Sequence, residues 1–159
     1  MYLLPMTVGL KVNKKRVFEN ISNEKQKQYT QVASKKFGGD SVKESMKLWN
    51  SYSDEKKERI KQEGDAIYRR LAANMDKGPE SPEVQELLAS WHQHLKYFYE
   101  PSIDVLDGLG KAYNESPDFN AVFAAIHPDL PGFLQKSIAH YVDILETEWL
   151  EREMSILEE

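Results

Sequence analysis

The chain has 159 residues and a mass of 18.4 kDa, the size of one ordinary domain. Zero cysteines exclude disulfides, thiolate metal sites and cysteine nucleophiles, and make a reduced, cytoplasmic setting the expectation. With 30% charged residues, net charge -5 and mean hydropathy -0.64, no apolar run approaches the roughly 18 residues of a membrane span. The start, MYLLPMTVGLKV, has no basic flank before its apolar residues and no small-residue cleavage site, so a signal peptide is not expected.

The chain reads as helices from end to end. Ser22 can cap a helix over about 23–36, with Tyr29, Val32, Ala33 and Phe37 on one side, and Gly38-Gly39 ends it. Asp40 can cap the next, whose apolar face is Val42, Met46 and Trp49. Ser53 caps a long helix with Asp54 and Glu55 at its positive end; Ile60, Gly64, Ile67/Tyr68, Leu71 and Met75 form its inner face, and Lys77-Gly78-Pro79 closes it. Ser81-Pro82-Glu83 restarts the chain as cap, first-turn proline and acid, followed by Val84, Leu87, Leu88, Trp91, Leu95 and Phe98 up to Pro101. Ser102 opens a short helix with Ile103, Val105/Leu106, Leu109 and Tyr113. Ser116-Pro117 repeats the device before Phe119, Val122, Phe123 and Ile126. Residues 127–132 read as a loop. The last helix runs from about 132 toward 156 and carries Leu134, Ile138, Tyr141, Val142, Leu145, Trp149 and Ile156. No segment shows strand alternation. The expectation is a compact all-α domain of about seven helices.

Net charge conceals a split. Residues 1–77 hold 17 Lys/Arg against 10 Asp/Glu, and residues 78–159 hold 4 against 16. Two halves with complementary fields, a cationic ligand on the second half, or an anionic one on the first are all consistent with it. The basic residues are spread over helix faces at a pI near 5.5, so nucleic-acid binding is not expected.

Two features exceed a plain bundle. Gly64, Gly108 and Gly110 lie inside helices, where each costs roughly 1 kcal/mol relative to alanine; close helix approach or a ligand against bare backbone would explain them. Residues 91–133 hold 8 aromatics in 43 positions, and the consecutive Tyr97, Phe98 and Tyr99 cannot all face one core at about 100° per residue. Catalytic motifs are missing: no phosphate loop, nucleophile elbow, zinc-protease pair or paired carboxylates. His92 and His94 stand about 200° apart on one helix and cannot share a metal; His94, beside the Trp91–Leu95–Phe98 stripe, reads as a core or cleft histidine with one hydrogen bond. No enzyme, cofactor or metal is expected.

The segments AIYRRLAANMDKGPESPEVQELL (66–88), WHQHLKYFYEPSIDVLDGLGKAYNESPDF (91–119) and LPGFLQKSIAHY (130–141), with WNSYSDEKKERI (49–60) and YTQVASKKFG upstream, resemble the TipA-S antibiotic-recognition domain. That family forms the effector domain of MerR-type, drug-responsive transcription activators. The resemblance runs from about 16 to 142. It implies a globin-like helical fold without heme and a cleft for large, partly apolar antibiotics, with N-terminal helices acting as a lid. It divides the chain into a linker remnant (1–15), a lid (16–50), a helical core (53–142) and an acidic helical extension (143–159). Carried over residue by residue, the cleft falls on His94, Tyr99, Leu109 and Tyr113. Trp91, Leu95, Phe98, Gly108 and Phe133 stand beside them, although Trp91 and Phe98 serve equally as pure core. Phe18, Tyr29, Phe37 and Trp49 fall in the lid.

The family's founding member traps a thiopeptide through a cysteine; the matching position here is Gly108, so binding is expected to be reversible and non-covalent. The DNA-binding part of the activators is not expected within residues 1–15. The expected function is recognition of a bulky, amphipathic, antibiotic-like molecule, as effector domain or as a drug-sequestering protein. The alternative is a helical interaction module that dimerises or docks through the C-terminal helix.

Overall fold

The computed structural model describes residues 11–12, 15–16 and 39–158. The expected helix 23–36, with Tyr29, and the lid residues Phe18 and Phe37 lie outside the described residues. Two short strands, β1 (Lys11–Val12) and β2 (Lys15–Arg16), pair antiparallel with Lys11 opposite Arg16, a hairpin the sequence did not announce. The other regular elements among the described residues are helical: α1 (Gly39–Asn50), α2 (Asp54–Ala73), α3 (Pro82–Leu95), α4 (Ile103–Glu115), α5 (Pro117–Ala124) and α6 (Leu130–Glu158). The all-α class holds, with six α-helices among the described residues and a 3₁₀ turn at Met75–Lys77.

The helix starts follow from local chemistry. The Lys56 N–H donates to Ser53 Oγ at 3.1 Å, the Val84 N–H to Ser81 Oγ at 3.3 Å and the Val105 N–H to Ser102 Oγ at 3.2 Å, each satisfying a first-turn donor. Ser116 caps α5 without a side-chain bond; Pro117 in the first turn has no N–H to satisfy. Gly78 ends the α2–3₁₀ segment at φ 95°, a left-handed conformation that a Cβ would strain.

The chain divides into two compact units: the stretch up to Arg69 together with Trp91–Glu100, and Arg70–Ser90 together with Pro101 onward. In the first, Ile60, Gly64, Ile67 and Tyr68 of α2 turn inward at helical spacing. Among the described side chains of α1, which leave out the expected Val42, the buried row is Ser45 and Trp49, not the expected Met46, which is 38% exposed. One turn back from Trp49, the row packed inward is i−4, and i−3 is left at the solvent edge. In the second unit, α4 and α6 pack closely because Gly110 has no side chain: a Cβ there would lie 2.9 Å from Ile138 Cγ2. Leu106, Leu109, Tyr113, Phe119, Phe123, Leu134 and Ile138 fill that core. Gln85 ties its periphery, donating from Nε2 to Pro79 O at 2.8 Å and Ser137 O at 3.2 Å.

Several boundaries differ from expectation. α1 begins at Gly39, so Asp40 lies inside it rather than capping it, and α2 gives way after Ala73 to the 3₁₀ turn, where Met75 is half-buried instead of on an inner face. The α-helix of α3 stops at Leu95; Lys96, Tyr97 and Phe98 then donate to carbonyls three residues back, the tightened winding of a helix that must end before Pro101. α6 begins at Leu130 rather than 132, because the Leu130 N–H bonds His127 O and the Phe133 N–H bonds Asp129 O while Pro131 occupies the first turn. Trp149 and Ile156 leave the buried stripe of α6, which ends at Val142.

Candidate functional site

In the first unit the end of α1, the turn before α2 and residues 94–98 converge on an aromatic cluster. Trp49 lies 5.3 Å from Phe98 between ring centroids, tilted by 30°, and meets Tyr52 edge-on at 6.1 Å. Tyr52 meets Tyr97 edge-on at 6.3 Å. His94 presents its ring to Tyr97 at 5.8 Å and to Phe98 at 5.5 Å. Such offset and perpendicular contacts set ring edges against ring faces, the favoured aromatic geometry. The Tyr52 hydroxyl donates to Tyr97 O at 2.8 Å, locking the α1–α2 turn to the end of α3. Burial and the neighbouring Tyr97 push the Tyr52 hydroxyl's pKa above its ordinary value, so it stays a donor. Lys56 Nζ stands 4.4 Å from the Tyr52 ring centre and Lys57 Nζ 5.7 Å from that of Trp49, within cation–π range. Trp49 and Phe98 are buried, while Tyr52, Tyr97 and Tyr99 are half-buried and keep apolar surface at the rim.

His94 is the polar element of this cluster. It is 5% exposed, and its Nε2 lies 2.8 Å from Ile60 O. A carbonyl only accepts, so Nε2 carries the proton and Nδ1 keeps a lone pair. Burial lowers its pKa, against smaller raising effects from the Ile60 bond and Glu63, so the ring is neutral near pH 7. Gly64 makes room for it: a Cβ there would lie 2.9 Å from His94 Cε1. The mid-helix glycine of α2 is thus explained by an imidazole from α3. Deeper, the Trp91 indole N–H donates to the Tyr68 hydroxyl at 3.1 Å, with both rings buried.

The second unit holds the other expected residues. Leu109 and Tyr113 are buried, with Tyr113 against Phe123 at 4.8 Å. Phe133, in the first turns of α6, is half-buried. Gly108 differs from Gly64 and Gly110, because a Cβ there would meet nothing within 4 Å. No packing contact requires it.

Of the residues singled out from the sequence, the structure gathers Trp49, His94 and Phe98 into one cluster, with Trp91, Leu95 and Tyr99 in the same unit; Gly108, Leu109, Tyr113 and Phe133 belong to the other. Sequence reasoning missed Tyr52 and passed over Tyr97. The consecutive Tyr97-Phe98-Tyr99 was the available signal for one; the other is a turn residue, and no periodicity marks it. Among the described residues no three His, Asp or Glu side chains come together as a metal site.

The sequence model of the TipAS antibiotic-recognition domain matches residues 29–141. The chain is 31% identical over 146 residues to the HTH-type transcriptional activator mta of Bacillus subtilis (strain 168), covering 89% of this chain and 57% of the activator. The chain therefore spans little more than half of that relative's length. Its fold matches TipAS of a thiopeptide antibiotic multidrug resistance system from Streptomyces lividans, solved in complex with nosiheptide. The TM-score is 0.64 at 23% identity, over 84% of this chain and 96% of that one.

Proposed function

The chain belongs to the TipAS antibiotic-recognition domain family, and from that premise we propose that it binds a bulky, amphipathic, antibiotic-like molecule reversibly. The observation that carries this is the aromatic cluster of Trp49, Tyr52, His94, Tyr97 and Phe98: its inner rings are sealed and its outer tyrosines offer apolar surface with polar tips. Covering such surface stabilises a complex by roughly 25 cal/mol per Å², and ring-on-ring contacts add about 0.5–1.5 kcal/mol each. The half-buried Tyr99 and the buried Trp91 and Leu95 belong to the same unit. In the second unit Gly108 and Phe133 are half-buried, and Leu109 and Tyr113 are buried. With no cysteine in the chain, no thioether forms and the complex is held by burial and hydrogen bonds alone.

The protein acts by recognition rather than catalysis, in the cytoplasm. No helix of the described residues is long and apolar enough to cross a membrane. Joined to a DNA-reading part, as in an HTH-type activator, the domain would shift the activator's equilibrium by its differential affinity for ligand in the two states. Alone, it would hold the drug. The carboxylate-rich second half favours neutral or cationic ligands.

Calorimetric titration against thiopeptides, aromatic polyketides and peptide drugs tests the proposal. At least one member should bind saturably, and mass spectrometry after denaturation should return the unmodified chain. Failure of the whole panel, or a surviving adduct, overturns it.

A further inference from the structure

The family match ends at residue 141, but α6 continues to Glu158. Its extension turns apolar side chains outward: Trp149 is 51% exposed, and Leu150, Met154, Ile156 and Leu157 more so, up to 84%. At 100° per residue these five fall within an arc of about 160°, a helix stripe wide enough to pack on a neighbour. Glu146 and Glu153, one heptad apart, lie inside that arc, about 40–60° from Trp149. From Asp143 to Glu158 six carboxylates face the single cation Arg152, which sits outside the arc beside Ile156.

An apolar stripe with two glutamates along its middle selects its occupant. A purely apolar face would bury both carboxylates without partners, which is strongly unfavourable. A second copy of α6 would bring an equally acidic stripe, in either orientation, with Arg152 alone to answer the glutamates. Charge complementarity is met by a helix with apolar residues at a and d and Lys or Arg beside them, repeating every heptad to reach Glu146 and Glu153.

We propose that residues 144–158 of α6 dock a basic amphipathic helix from another protein segment. The homodimer, one branch of the alternative drawn from the sequence, is the competing occupant that the test must reject.

The experiment uses the full chain and two labelled synthetic peptides of about three heptads, both with Leu at a and d, one with Lys and one with Glu at e and g. Fluorescence anisotropy should show saturable binding of the Lys peptide, about tenfold tighter or more than the Glu peptide and weakening with added salt. The double variant Glu146→Lys/Glu153→Lys, with both positions exposed and circular dichroism checking the fold, should reverse the preference. The proposal is overturned if neither peptide binds, if both bind equally, or if the charge-reversed protein keeps its preference for Lys. It is overturned as well if sedimentation finds a dimer that Leu150→Asp/Leu157→Asp abolishes.

Discussion

Replacing Gly64 and Gly108 by alanine makes one chemical change at two helix interiors and should move stability in opposite directions. At Gly64 the added methyl would stand 2.9 Å from His94 Cε1 and 3.2 Å from Nε2, inside the roughly 3.5–4 Å of ordinary carbon contact. The ring has no easy retreat, because Tyr97 and Phe98 flank it and its Nε2 is held by Ile60 O at 2.8 Å. Overpacking costs about 1–3 kcal/mol and weakening the buried hydrogen bond about 1 more, against about 1 kcal/mol gained in helix propensity. Gly64→Ala should therefore destabilise by about 1–3 kcal/mol. At Gly108 the methyl meets nothing within 4 Å, and the propensity gain stands alone, about 0.5–1 kcal/mol of stabilisation. At about 2–4 °C per kcal/mol for a domain of this size, thermal unfolding should separate the two variants by roughly 3–16 °C, with urea midpoints in the same order. Equal shifts, or Gly108→Ala as damaging as Gly64→Ala, would refute the assignment of Gly64 to the imidazole and of Gly108 to open space.

Other outcomes follow from the same contacts. Burial lowers the folded-state pKa of His94 below 6.5, so its contribution is present above that pH and is lost as pH falls through the lowered value. His94→Gln should flatten the decline in stability on acidification, measured by urea midpoints across that range. Tyr52→Phe removes the hydroxyl bonded to Tyr97 O and should cost about 0.5–1.5 kcal/mol in chemical denaturation, toward the lower end because the residue is half-buried. Tyr97→Ala should weaken ligand affinity about tenfold or more at a small stability cost, since aromatic anchors dominate binding; unchanged affinity in calorimetry would remove Tyr97 from the site.

The parts legible in the sequence were those fixed within one helical turn. Ser53, Ser81-Pro82, Ser102 and Ser116-Pro117 each announce a helix start because cap and proline chemistry act over three or four residues. Buried stripes such as Ile60–Ile67 and Leu134–Ile138–Val142 followed from periodicity. The site was less legible because its partners are far apart in the chain. Tyr52 finds Tyr97 O across 45 residues and His94 finds Ile60 O across 34, pairings that depend on how the helices pack. The glycines show the same limit. Gly64, Gly108 and Gly110 look alike in sequence, yet the first admits His94, the third admits Ile138 and the second admits nothing. The winding of residues 96–98 was hidden too, because a tightened last turn leaves no compositional mark before Pro101.

Reversible uptake of an amphipathic drug by the Trp49 cluster, as proposed, can be read directly. A single-tryptophan protein, Trp91→Phe/Trp149→Phe, titrated with a thiopeptide, puts the readout on Trp49. Its emission should change saturably, recover fully on removal of the ligand, and not respond in Tyr97→Ala. An unchanged Trp49 signal in the presence of bound drug, or a change that survives exhaustive dialysis and denaturation, would contradict it.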